Sequence, residues 1–142
     1  MDTIAAEHRL QSLAHYWLYL IDRNTGEAAP FDELLAVKFE LDWAPTLIRT
    51  REGFSAWYGG LSRRVLKSSH TLVSLESETT GAGRYTARLE LQWYGFTRAE
   101  PEREVEARTL HEWTVADDQS DRFARIERAT IRVLVPAQRR VL

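Results

Sequence analysis

The stretch Val105–Val115, Val-Glu-Ala-Arg-Thr-Leu-His-Glu-Trp-Thr-Val, decides how the chain is read. Val105, Ala107, Thr109, His111, Trp113 and Val115 fall on one side; Glu106, Arg108, Leu110, Glu112 and Thr114 fall on the other. A period of two with one apolar side is the pattern of a long strand that buries one face. His111 sits in the middle of that face, two residues from Trp113. The strand therefore reads as one wall of a pocket, with an imidazole facing in.

Working outward, the same alternation recurs on both sides. His70–Thr79, Arg84–Phe96 and Phe123–Val135 read as three further long strands. The connectors are Thr80–Gly83, Thr97–Glu104 and Ala116–Arg122. They are short and polar or Gly/Pro-bearing, which predicts an antiparallel meander. Ala87, Leu89, Leu91 and Trp93 share a face, opposite Arg88, Glu90 and Gln92. Arg128 interrupts the apolar face of the last strand, which a β-bulge would explain.

Upstream the period changes to that of helices. Asp2 or Thr3 can cap a first helix whose stripe is Leu10, Leu13, Ala14, Trp17 and Ile21. It runs out in the turn formers Asp22-Arg23-Asn24-Thr25-Gly26. Ala29-Pro30 opens a second, shorter helix with Asp32 and Glu33 in its first turn. Val37, Phe39, Leu41 and Trp43 then alternate as a strand that Pro45 stops, and Thr46–Thr50 fits a short partner. A third helix starts at Thr50 and buries Phe54, Trp57, Leu61 and Leu66. Its Gly59-Gly60 step costs roughly 1 kcal/mol per glycine, so it either permits close packing or breaks the helix.

Composition limits the functions available. The chain has 142 residues, 44% hydrophobic and 28% charged, which suits one soluble globular domain, 1–142. Five Trp, five Tyr and five Phe are enough to line a cavity as well as fill a core. The 19 basic and 21 acidic residues leave a net charge of -2 with no free-standing basic cluster, which argues against nucleic acid or an anionic membrane as partner. Without cysteine there are no disulfides, thiolate ligands or Cys nucleophiles. The longest apolar run, Tyr16–Ile21, is too short to span a bilayer, and the N-terminus lacks a signal-peptide pattern, so a cytoplasmic protein is expected.

Three helices and then four long antiparallel strands make an α+β order in which a strongly curved sheet must wrap around the helices. The chain here resembles the nuclear transport factor 2-like superfamily, the cone fold of ketosteroid isomerase, scytalone dehydratase and the polyketide cyclases. The resemblance runs along essentially the whole chain. It is carried by Leu13-Ala14-His15-Tyr16 to Ile21-Asp22, Phe54-Ser55-Ala56-Trp57-Tyr58, His70, Leu91-Gln92-Trp93 and His111-Glu112-Trp113. Within that resemblance, Tyr16 matches the oxyanion-hole tyrosine of ketosteroid isomerase and Tyr58 its supporting tyrosine. His111 falls at its protonated aspartate, and Asp42 near its general base, one residue out of spacing. Scytalone dehydratase uses two strand histidines with tyrosines and an aspartate, and His70 with His111 would fill that role. The Asp-Arg-Asp set of limonene epoxide hydrolase has no counterpart.

The candidate catalytic residues are therefore His111, His70, Tyr16 and Asp42. The candidate substrate-binding residues are Tyr58, Trp17, Trp93, Trp113 and Trp57. A neutral imidazole can both give and take a proton near neutrality, so this set suits acid/base isomerisation, dehydration or cyclisation with no cofactor and no metal. The expected ligand is a small apolar, cyclic, steroid-like or polyketide-like molecule. The alternative is a non-catalytic ligand-binding or interaction module in which His111 is a hydrogen-bonded core residue. A pocket filled by side chains favours the module; an open one lined by both histidines favours the enzyme. A homodimer through the outer sheet face is also expected, using Tyr94, Phe96 and Leu110.

Overall fold

The computed structural model describes residues 3–43, 45–98 and 103–141. It contains two α-helices, α1 (Thr3–Arg23) and α2 (Arg51–Arg64), with a 3-10 turn, Ala29–Glu33, following the first. The strands are β1 (Leu35–Trp43), β2 (Thr46–Ile48), β3 (Val65–Gly81), β4 (Arg84–Thr97), β5 (Arg103–Ala116) and β6 (Arg125–Val141). They form one open, curved sheet in the order β2-β1-β6-β5-β4-β3. Every pair is antiparallel except β1 with β6.

The α+β architecture and all four long strands agree with the sequence pattern, with two corrections among the helices. The expected second helix is only the 3-10 turn, because Pro30 starts it and Leu34 already packs into the core at its end. The expected third helix ends at Arg64, so Leu66 belongs to β3. At its start Thr50 Oγ1 accepts the Gly53 N–H at 2.9 Å, satisfying one free donor of the first turn. An Asp2 cap on α1 lies outside the described residues.

Core packing follows the stripes. Leu10, Leu13, Ala14, Trp17 and Ile21 are buried along α1. Trp17 meets Phe31 edge-on at 5.0 Å between centroids, and Phe31 in turn touches Phe54 and Tyr58 at 4.9 Å. Such contacts add directional attraction to the burial of large apolar area. On β5 all six residues from Val105 to Val115 on the inner face are buried. Val37, expected beside Phe39, is instead exposed, since the register with β6 shifts between Leu35 and Glu40.

Bulges set which side chains face inward. On β3, His70 pairs Trp93 and Leu72 pairs Leu91, but Ser74 pairs Glu90, so Val73 is the extra residue and the inward parity restarts at Leu75. On β6 the extra residue is Glu127, which restores Ala129 and Ile131 to the interior beyond Arg128. On the outer face Tyr94 and Phe96 pack at 5.7 Å, while Leu110 is already 98% covered within the chain (2% exposed) and offers no free apolar area for pairing. Among the described residues no helix is long and apolar enough to cross a membrane.

Candidate functional site

Between α1, α2 and the concave face of the sheet lies a cavity of about 280 Å³. Its walls include Trp17, Leu18 and Ile21 of α1, Trp57 and Leu61 of α2, Trp93 of β4, and Thr109 and His111 of β5. It is predominantly apolar and at the small end of ligand cavities, a size that fits a small ring system. Both His70 and His111 line it.

His70 is held by Asp22, which the sequence pattern places among the turn formers that end the first helix. Its Nδ1 lies 2.6 Å from Asp22 Oδ1, and its backbone N–H donates to Asp22 Oδ2 at 2.8 Å. Ser68 Oγ also donates to Asp22 Oδ1 at 2.7 Å, and Trp93 Nε1 donates to Ser68 Oγ at 3.0 Å. Strand parity explains the set: Ser68 and His70 are two residues apart on the inward side of β3, and Trp93 stands opposite His70. Gly95 completes it, since a side chain there would meet Trp93 Cζ2 at 2.5 Å and the Lys67 carbonyl oxygen at 2.8 Å. Burial pushes the Asp22 carboxyl up, yet the hydrogen bond and charge of His70, the Ser68 hydroxyl and the His70 N–H outweigh it and leave the pKa below the usual range. Asp22 is thus an ionised carboxylate at neutral pH.

One signal for Asp22 was present in the sequence. It stands four residues after Leu18 and so extends the inward stripe of α1 by one turn. The turn formers that follow it hid that position. Asn24, with φ of 55°, takes the left-handed residue that ends the helix, and its N–H bonds the Ile21 carbonyl at 3.2 Å.

His111 differs from His70 in every respect but its exposure to the cavity. It is buried and its Nδ1 has no hydrogen-bond partner. Burial pushes its pKa down to about 3, and the nearby charge of His70 adds to that shift. At neutral pH it is a neutral imidazole.

Of the other candidates, Trp17, Trp57 and Trp93 line the cavity. Trp113 does not: its ring packs behind, 6.0 Å from Trp17 and 6.1 Å from His111. Tyr16, expected beside His111, stacks on Phe123 at 4.8 Å under the Arg122 guanidinium, away from the cavity. Tyr58 is a core residue whose hydroxyl donates to the Leu20 carbonyl at 2.7 Å, satisfying one of the free acceptors at the end of α1. Asp42 is half-exposed, on the opposite side of β1 from buried Leu41, and is not part of the cavity wall. No group of three or more metal-ligating side chains occurs among the described residues.

No family model matches the sequence, and no curated protein does. Solved structures do resemble it. A scytalone dehydratase-like protein from Novosphingobium aromaticivorans superposes with a TM-score of 0.81 over 98% of this chain and 90% of its own, at 14% identity. A hexachlorocyclohexane dehydrochlorinase from Novosphingobium barchaimii LL02 gives 0.82 over 96% and 91%, at 12% identity. A nuclear transport factor 2-like superfamily protein from Salmonella enterica serovar Typhimurium gives 0.78 over 96% and 95%, at 14% identity. Identities this low speak for architecture and not for chemistry. The chain has the nuclear transport factor 2-like fold.

Proposed function

We propose that the protein binds a small cyclic molecule in the cavity and catalyses a cofactor-free proton transfer on it, leading to elimination or isomerisation. The observation that carries this is the Asp22–His70 pair at the edge of an open apolar pocket. Asp22 accepts the Nδ1–H of His70, which fixes the ring and leaves Nε2 as the nitrogen free to take a proton. A base built this way removes a proton from a carbon next to a carbonyl, and the electron pair moves to the carbonyl oxygen. His111, neutral and in the cavity wall, can donate to that oxygen through its Nε2–H tautomer. The proton on His70 then leaves with a hydroxide as water, which is dehydration, or returns to a different carbon, which is isomerisation. Two of the structural neighbours carry names of eliminations, a dehydratase-like protein and a dehydrochlorinase, and this supports the same reaction class.

The test needs no knowledge of the natural substrate. The protein in D2O, given 2-tetralone, is expected to speed exchange of the α-protons, followed by NMR. Asp22→Asn and His70→Gln should each lower that rate by about 10²-fold, the usual scale for one general base and its support. Equal exchange by wild type and both variants would sink the proton-transfer reading and leave a binding module.

A further inference from the structure

The cavity wall includes a cation that no carboxylate among the described residues neutralises. Arg64, the last residue of α2, lines the cavity, and Arg63 stands next to it. Among the described residues no carboxylate pairs with either, whereas Arg49, Arg122 and Arg132 each have one within 2.9 Å. Both guanidinium groups fold back over the Gly59-Gly60 step. A side chain at Gly60 would begin 3.2 Å from Arg64 Nη1, and one at Gly59 would begin 3.5 Å from Arg63 Nη1. The two helix-weakening glycines thus leave room for two positive charges, without a carboxylate partner among the described residues, at the edge of an apolar pocket.

A second observation lies on the same wall. Asn24 lines the cavity, and its Nδ2 donates to the carbonyl of Val65, the residue after Arg64, at 2.5 Å. That bond fixes the amide orientation and leaves Oδ1 buried without a partner. Thr109 Oγ1 and His111 Nδ1, also in the wall, are buried and unpartnered too. These atoms lie beneath the cavity surface, so the polar group of this wall that a ligand can reach is the Arg64 guanidinium.

We infer that the pocket takes an anionic ring compound, an apolar ring system bearing a carboxylate, with the carboxylate seated on Arg64 at the mouth. This rests on the reading of the cavity as a ligand site and names the class of ligand. A guanidinium suits a carboxylate because its planar fork can offer two parallel N–H donors. The ring enters between Trp57 and Trp93, and the carboxylate stays at the partly wet rim, where its desolvation is small. Arg63 adds to the local positive potential without lining the cavity.

The test compares 2-naphthoate with its neutral relative 2-naphthamide, by quenching of the cavity tryptophans. Wild type should bind the naphthoate more tightly by about fivefold or more, the scale of one half-exposed charge pair, and added salt should erode the difference. Arg64→Gln should remove the preference and leave amide binding and the thermal midpoint unchanged. Equal affinities in wild type, or a preference that survives Arg64→Gln, would overturn the carboxylate subsite while leaving the pocket as a ligand site. Failure of both probes to bind would overturn the subsite and the ligand-site reading together.

Discussion

Two of the regions that bury polar groups treat them in opposite ways. At one end of the molecule Arg9 reaches from α1 to Asp117, just past β5, with Nε to Oδ2 at 2.6 Å and Nη2 to Oδ1 at 2.9 Å. The same guanidinium donates to the Asp121 carbonyl at 3.1 Å, and Asp117 Oδ1 also accepts the Gln119 N–H at 3.0 Å. In the cavity, by contrast, Asn24 Oδ1, Thr109 Oγ1 and His111 Nδ1 are buried with no partner. A polar group that the chain itself completes is there to hold the fold. One left incomplete in a cavity wall adds nothing to hold the fold there.

The largest expected effect follows from the completed region. Asp117→Ala strands a half-buried guanidinium and frees the connection between β5 and β6 from α1. Because Arg9 stays partly hydrated, the loss should be that of charged hydrogen bonds, about 1.5–3 kcal/mol. Urea unfolding should show that loss as a lower midpoint with little change in slope. A loss below ~1 kcal/mol would mean that the strap and the cavity wall do not differ as drawn.

Much of this contrast was out of reach of the sequence. Strand parity placed His111 and Trp93 inward, and helical spacing placed Trp17 and Trp57, because each of those positions obeys a local period; His70 came only from the family resemblance. Asp22 was missed because its role depends on β3, about 50 residues away, arriving at the end of α1. Tyr16 and Tyr58 were legible as helix residues, but a single position decides whether a hydroxyl meets the cavity or a neighbouring carbonyl. Residue type fixes neither. The bulge at Val73 illustrates the same limit: it resets parity along β3 and leaves no mark in composition.

A smaller effect should come from the uncompleted region, and it depends on pH. The folded-state pKa of His111 is about 3, against an ordinary value of 6.5. Above about 6.5 the imidazole is neutral in both states and contributes nothing to pH dependence. As pH falls below that, the unfolded chain takes up a proton that the folded one refuses, and stability drops by up to about 1.4 kcal/mol per pH unit until the folded pKa is reached. His111→Gln cannot titrate and should flatten the fall between pH 6.5 and 5 while leaving stability at pH 8 nearly unchanged. Parallel curves for the two proteins would show that His111 is not held neutral by its burial. Asp22, with its depressed pKa, acts in a lower window: its contribution is present above the unfolded carboxylate value and lost as pH falls through the folded one.

The smallest effect tests whether Gly60 serves the helix or the cavity mouth. Inside α2 a glycine costs backbone entropy, and alanine at such a site is favoured by about 0.5–1 kcal/mol. The position has no positive φ, so alanine meets no backbone penalty there. Its methyl would begin 3.2 Å from Arg64 Nη1, closer than comfortable contact, but that atom is the far end of a flexible side chain and can withdraw. Gly60→Ala should therefore raise the thermal midpoint by a few degrees, and it should also shift the Arg64 guanidinium from its seat. If the seat matters, the same variant loses part of its preference for 2-naphthoate over 2-naphthamide. A gain in stability with the preference intact would make Gly60 a dispensable weakness of α2. Lower stability would mean that Arg64 cannot withdraw and that the diglycine step is tightly packed.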